Sequence, residues 1–214
     1  MTEEVRGMYL KYEQALRNMN PEGWNNLLPN ERIEALQAIE NVIAYDTKRI
    51  PAEVVIGNCK PGSVAMQVGN SIIIDKAELA KSDYIECVKS VYHEASHVLD
   101  FQASIFSRLR EQVGAEELAL RNTPIPEYTV DFAGYYNHPA EVAAREAEVI
   151  GVQRTLEDQQ HIAAVDEVMH QSGNQILASH DYVALDYGSG VDMQSGIESN
   201  MTIEHTAEMT GFDD

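Results

Sequence analysis

The segment HEASH, residues 93–97, holds three side chains that could carry out metal chemistry together. His93 and His97 are four residues apart, and residues i and i+4 of an α-helix are neighbours on one face, so both imidazoles can bind one ion. Glu94 is rotated by about 100° from His93 and can instead reach a metal-bound water. The spacing therefore predicts a hydrolytic zinc (Zn²⁺) site with Glu94 as general base. The alternative is a buried helix with two hydrogen-bonded histidines.

A third protein ligand is needed, because catalytic zinc usually takes three protein ligands and a water. The extended motif H-E-x-x-H-x-x-G-x-x-H would supply a third histidine, but Asp100 and Ala103 stand at its glycine and final histidine places. Glu141 is the best candidate downstream. It follows Pro139, which suits the first turn of a helix and would fix the direction of the Glu141 side chain.

Other acidic residues near these positions have competing interpretations. Asp100 lies one turn beyond His97 and could orient a ligand histidine through its second ring nitrogen, or it could be a surface carboxylate. Glu146 and Glu148 are rival third ligands that lie later on the same helix. We expect both of them to be solvated.

Hydrophobic periodicity indicates the elements that must position these residues. An apolar stripe with a period near 3.6 runs from Tyr84 to Leu99 and predicts a helix beneath the motif, starting at Ser82-Asp83. Gly69-Asn70 is typical of a β-hairpin turn. Three short segments rich in branched residues predict strands: 53–57, 63–68 and 71–75. A strand beside the metal helix would offer its free edge to an extended peptide.

The order of these elements predicts an α+β domain that is rich in helix. Residues 1–50 carry two amphipathic helices that we interpret as packing elements, and residues 51–172 form the catalytic core. The helix after Pro139 is a candidate for a break near Gly151. Residues 181–214 have little apolar periodicity and predict a loose, acidic C-terminal tail outside a domain of residues 1–180.

The chain is strongly acidic, with 35 acidic against 15 basic residues and a net charge of −20. This charge argues against a nucleic-acid partner, because phosphate groups need Lys and Arg opposite them. It fits a solvated acidic surface or, alternatively, a basic protein or peptide partner.

No apolar run approaches the roughly 20 residues that a bilayer needs, and the first residues lack the pattern of a signal peptide. Cys59 and Cys87 do not make a disulfide framework. We therefore expect no membrane association and a cytoplasmic protein, or a phage-encoded one acting inside a cell. Export without a signal peptide is the alternative, and the sequence leaves the oligomeric state open.

HExxH followed by a glutamate on a later helix resembles the gluzincin group of zinc metallopeptidases. HEASHVLDF and YYNHPAEVAARE resemble the ligand segments of its lethal-factor-like branch, and the second also resembles the P-x-E-x-x-A-R signature of zincin-like proteins encoded by bacteria and phages. The resemblance covers residues 50 to 160 and implies a zincin-like fold. It also implies His93, His97 and Glu141 as zinc ligands and Glu94 as the base.

The same resemblance places a tyrosine shortly before the ligand glutamate. Tyr135 or Tyr136 could thus donate a hydrogen bond to the oxyanion, or either ring could belong to the core. The expected activity is hydrolysis of a protein or peptide substrate. The alternatives are a catalytically silent zincin-fold binding protein or acidic decoy, and a zinc hydrolase that does not act on peptides.

Overall fold

The computed structural model describes residues 1–60, 62–81 and 83–171, so the predicted tail of residues 181–214 lies outside the described residues. Within these ranges the chain is rich in helix and has a small sheet, which confirms the predicted α+β class. The elements are α1 (Glu3–Asn18), α2 (Pro21–Asn26), α3 (Pro29–Asp46), β1 (Glu53–Gly57), β2 (Ala65–Val68), β3 (Ser71–Asp75), α4 (Lys76–Lys81), α5 (Tyr84–Ile105), α6 (Ser107–Val113), α7 (Ala115–Arg121), α8 (Phe132–Tyr136) and α9 (Pro139–Gln171).

The two predicted N-terminal helices are α1 and α3, and the short helix α2 between them was not predicted. Helix α1 lies against α3, where Leu16 and Leu36 are buried. A buried ion pair ties α3 to the segment that leads into the sheet, since Arg49 donates to both carboxylate oxygens of Glu40 at 2.6 Å. Glu40 also accepts a hydrogen bond from the Ala52 amide just before β1. These contacts give the sheet a fixed start on the helical layer.

The sheet has the strand order β1-β3-β2, with β1 parallel to β3 and β2 antiparallel to β3. Strands β2 and β3 form the predicted hairpin, in which Gly69 has a φ of +59° that favours glycine. Strand β2 begins at Ala65 rather than at residue 63, because the Ser63 amide turns back to the Lys60 carbonyl. In the order β1-β3-β2, strand β2 lies at one edge of the sheet.

Helix α5 carries the HExxH motif and begins where the sequence predicts. The Asp83 carboxylate caps it by accepting from the Glu86 amide at 2.9 Å. Farther along α5, the Gln102 side chain bonds both the amide and the carbonyl of Ile50 and reaches Asn70 in the hairpin turn. The hairpin is thereby fastened to the motif helix.

Helix α9 is continuous over residues 139–171, so the predicted break near Gly151 is wrong. The glycine serves packing instead. A Cβ added at Gly151 would overlap the ring of Tyr92, which shows how closely α5 and α9 approach. No helix in the described ranges, α9 included, is both long enough and apolar enough to cross a membrane.

Candidate metal centre

Helices α5 and α9 bring three potential ligands to one point. The Nε2 atoms of His93 and His97 are 3.2 Å apart. Oε2 of Glu141 lies 3.4 Å from Nε2 of His93, and Oε1 of Glu141 lies 3.5 Å from Nε2 of His97. One ligand atom from each residue lies within 4.8 Å of the others, so the three could hold one metal ion.

The surroundings of Glu141 fit a cation. Its side chain is buried, and its Oε2 atom has no hydrogen-bond partner. A buried, unsatisfied carboxylate oxygen is costly unless a positive charge compensates it. Two imidazole nitrogens and a carboxylate oxygen also form a donor set that suits divalent transition metals.

Protonation of the cluster reflects the same electrostatics. Burial raises the pKa of Glu141, but the close contacts of its carboxylate with the His93 and His97 imidazoles outweigh burial and hold that pKa well below its usual range. Burial lowers the pKa of His93, but its contact with the Glu141 carboxylate and its hydrogen bond with Glu148 outweigh this and raise the pKa to about 10. The carboxylates therefore stabilise a positive charge at this point, whether a proton or a metal ion supplies it.

The start of α9 is fixed by His138, a residue that the sequence places in the loop at the entrance to this helix. The Ala140 amide donates to Nδ1 of His138 at 3.3 Å, and Thr123 Oγ1 lies 2.8 Å from its Nε2. The Thr123 hydroxyl proton is used on the Leu120 carbonyl, so Nε2 of His138 is the donor to Thr123. This buried cap sets the direction in which Glu141 leaves the helix.

Glu94 lies between the three potential ligands and the sheet. Its side chain is buried, and its carboxylate accepts a hydrogen bond from the Gln67 amide in β2. Burial raises the pKa of Glu94, and the adjacent imidazoles and the Gln67 amide only partly offset this effect. A carboxylate with a raised pKa beside a candidate metal centre is suited to accept and return a proton.

The two candidate tyrosines occupy different environments. Burial, the charge of Glu141 and a hydrogen bond to its carboxylate raise the pKa of Tyr135, with a smaller contribution from Glu94. Tyr136 is 48% exposed, and the Arg145 guanidinium lies 3.9 Å above its ring. The structure thus brings Tyr135 to the potential ligands and leaves Tyr136 at the surface.

The prediction that Glu148 is solvated is only partly correct, because its side chain is 27% exposed and also contacts His93. Its Oε1 atom lies 2.6 Å from Nδ1 of His93, the ring nitrogen that does not face Glu141. Glu146 is exposed, as expected. The signal for Glu148 was its place seven residues after Glu141, which returns to nearly the same helix face about 10 Å farther along.

Asp100 is buried, not at the surface. It pairs with Arg121 at 3.4 Å, and its Oδ2 atom has no hydrogen-bond partner. The hydrogen bonds of Asp100 in the described part of the chain include none to His97. Orienting a ligand histidine was one of the two alternatives for Asp100, and on His93 the corresponding contact is made by Glu148.

Comparisons of the chain with protein-family models, with curated proteins and with solved structures each find no match. The chemistry of this centre is therefore inferred from the geometry of its own residues.

Proposed function

We propose that the protein is a zinc-dependent metallopeptidase with a zincin-like fold. The observation that carries the proposal is the convergence of His93, His97 and Glu141 beside the buried carboxylate of Glu94. Three nitrogen and oxygen ligands with a neighbouring glutamate make up the set that hydrolytic zinc sites use.

His93, His97 and Glu141 would hold the ion. When bound, zinc polarises a carbonyl and makes water more acidic. Glu94 takes a proton from the attacking water and delivers it to the leaving amine. The hydroxyl of Tyr135, which donates to Glu141, has a single proton, so it would leave Glu141 when that carboxylate holds the ion and donate instead to the oxyanion that develops on the substrate.

The edge strand β2 supports a polypeptide as the substrate. It pairs with β3 on one side only, and its Gln67 amide is directed at Glu94 on the other side. An extended peptide can add to such an edge through main-chain hydrogen bonds, which would carry its backbone past the base. The net charge of −20 favours a basic protein or peptide.

Metal analysis and hydrolysis of an unfolded protein such as casein test the proposal. We expect about one zinc per chain, since one three-ligand site is proposed. Glu94→Gln should keep the zinc and lose activity by at least about 100-fold, because only proton transfer is removed. His97→Ala should lose both.

Two results would contradict the proposal. Glu94→Gln could cleave casein as fast as the parent, which would exclude Glu94 as the base. A fully zinc-loaded parent could fail to cleave any peptide bond. It would then be a silent binding protein or a hydrolase for another class of bond, and small ester substrates separate these two.

A further inference from the structure

A group of four aromatic side chains stands beside the metal centre, on α8 and the segment before it. We call Tyr128, Phe132, Tyr135 and Tyr136 the aromatic wall. The ring centroids of Tyr128 and Tyr135 are 5.4 Å apart, and those of Tyr128 and Phe132 are 5.2 Å apart, both edge to face. Phe132 and Tyr136 follow at 5.7 Å. The rings therefore form one continuous surface.

The aromatic wall is open to solvent. Tyr128 is 60% exposed, Phe132 54% and Tyr136 48%. A single exposed apolar residue is ordinary, but a contiguous exposed cluster marks a binding surface. None of these three side chains belongs to the potential metal ligands. Their grouping at the surface is therefore better explained by a ligand that packs against them.

The backbone beneath the aromatic wall is held in one arrangement. Asp131 caps α8 by accepting from the Gly134 amide at 2.8 Å, and its own amide donates to the Glu127 carbonyl. A Cβ added at Gly134 would overlap the Asp131 carboxylate, so the turn is tight. A surface ordered in this way loses little conformational entropy when a ligand binds.

Tyr135 connects the aromatic wall to the metal centre, because it touches Tyr128 on one side and the Glu141 carboxylate on the other. Tyr128 is therefore the next ring outward from the metal centre along this line of contacts. The Arg145 guanidinium above Tyr136 adds a positive charge at the far end. That charge disfavours a lysine or arginine side chain. The exposed rings themselves favour an apolar or aromatic side chain, which they can cover.

We propose that the aromatic wall is a specificity subsite that accepts a large apolar or aromatic side chain of the polypeptide substrate, next to the bond that is cleaved. This inference rests on the proposed function and adds the substrate class to it. Any basic residues of the substrate would then bind elsewhere on the acidic surface.

Three hydroxamic acids test the subsite: the acetylated hydroxamates of phenylalanine, alanine and lysine. Each chelates zinc without being hydrolysed, and the three differ only in their side chains. Differences in affinity measured by calorimetry on the zinc-loaded full chain therefore report the contribution of the side chain. We expect the phenylalanine compound to bind about tenfold more tightly than the alanine compound, from aromatic contact and burial. The lysine compound should gain nothing over alanine.

Variants locate the effect. Tyr128→Ala and Phe132→Ala should each reduce the preference for phenylalanine to about threefold or less, and leave zinc content and alanine-compound affinity unchanged. Tyr45→Ala is the matched control. Tyr45 is also exposed and also makes an edge-to-face ring contact, with Tyr9, but it lies on α3. It should keep the full preference.

Equal binding of the phenylalanine and alanine compounds by the parent would overturn the inference, and so would a preference for lysine. A concentration-dependent dimer that Tyr128→Ala dissolves, with no side-chain preference, would identify the wall as a contact between copies. Failure of the proposed function is read separately. If the zinc-loaded parent binds the phenylalanine compound preferentially but cleaves no peptide, the subsite is supported and the peptidase activity is contradicted.

Discussion

Glu148 Oε1 lies 2.6 Å from Nδ1 of His93, while Nε2 of the same ring faces Glu141. Both glutamates belong to α9, so one helix contacts both nitrogens of a histidine on α5. A carboxylate on Nδ1 fixes the ring and places the proton there, which leaves the Nε2 lone pair for a metal. Glu148 is therefore a positioning residue for His93.

Glu148→Ala should lower zinc affinity about 10- to 100-fold, which is the usual effect of removing the partner of a ligand histidine. Competition with a chromogenic chelator measures this. Glu146→Ala is the matched control on the same helix, because that side chain is exposed and should behave like the parent. Equal affinities for the parent and Glu148→Ala would show that His93 needs no support from α9.

Glu141→Gln should weaken zinc retention more than Glu148→Ala does, because a direct ligand is lost and not its neighbour. The amide has nearly the same size as the carboxylate, so the fold should be retained. The same chelator competition, with circular dichroism as the check on folding, gives the order of the two variants. The reverse order would mean that Glu148 moves to the metal and Glu141 does not bind it.

Local sequence signals predicted the elements of the site. The apolar period indicated α5, Gly69-Asn70 indicated the hairpin, and Pro139 indicated the helix start that brings Glu141 to the two histidines. Each signal depends on residues that are close in sequence, so no knowledge of the packing was needed.

Contacts between elements could not be predicted in the same way. Whether Glu148 is solvated depends on how closely α5 and α9 approach, and that is set by Gly151 under Tyr92. The same glycine gave the wrong prediction of a helix break, since its packing role is visible only in three dimensions. Tyr135 and Tyr136 are neighbours in α8, so a shift of one residue decides which ring faces Glu141 and which faces the surface.

Zinc binding near pH 7.5 should release about one proton per ion. The pKa of His93 is raised from 6.5 to about 10, so the ring carries a proton at this pH, and zinc must displace it. Calorimetry in two buffers with different enthalpies of ionisation measures the number of protons released. Zinc uptake without proton release would show that His93 is neutral in the metal-free protein.

The same shift gives a sign for stability in the metal-free protein. Because the folded-state pKa is raised, its contribution is fully present below pH 6.5 and is lost as the pH rises through about 10. Thermal unfolding of the metal-free chain should therefore show His93 stabilising the fold at pH 7 and not above pH 10, relative to His93→Gln. A His93→Gln variant with a constant difference in melting temperature across this range would contradict the assignment.

Gly151→Ala should both destabilise the fold and weaken metal binding. The added methyl group overlaps the Tyr92 ring, which is buried between α5 and α9, and overpacking of this kind costs about 1–3 kcal/mol. Because His93 follows Tyr92 directly, separation of the helices moves His93 away from Glu141.

Gly7→Ala is the matched control, since Gly7 lies in α1 with open space around its Cβ position. Alanine there should raise stability by up to about 1 kcal/mol and leave zinc affinity unchanged. Denaturant unfolding and chelator competition on the two variants measure both effects. A Gly151→Ala protein as stable as the parent, with parent-like zinc affinity, would show that the close approach of α5 and α9 does not hold the metal centre together.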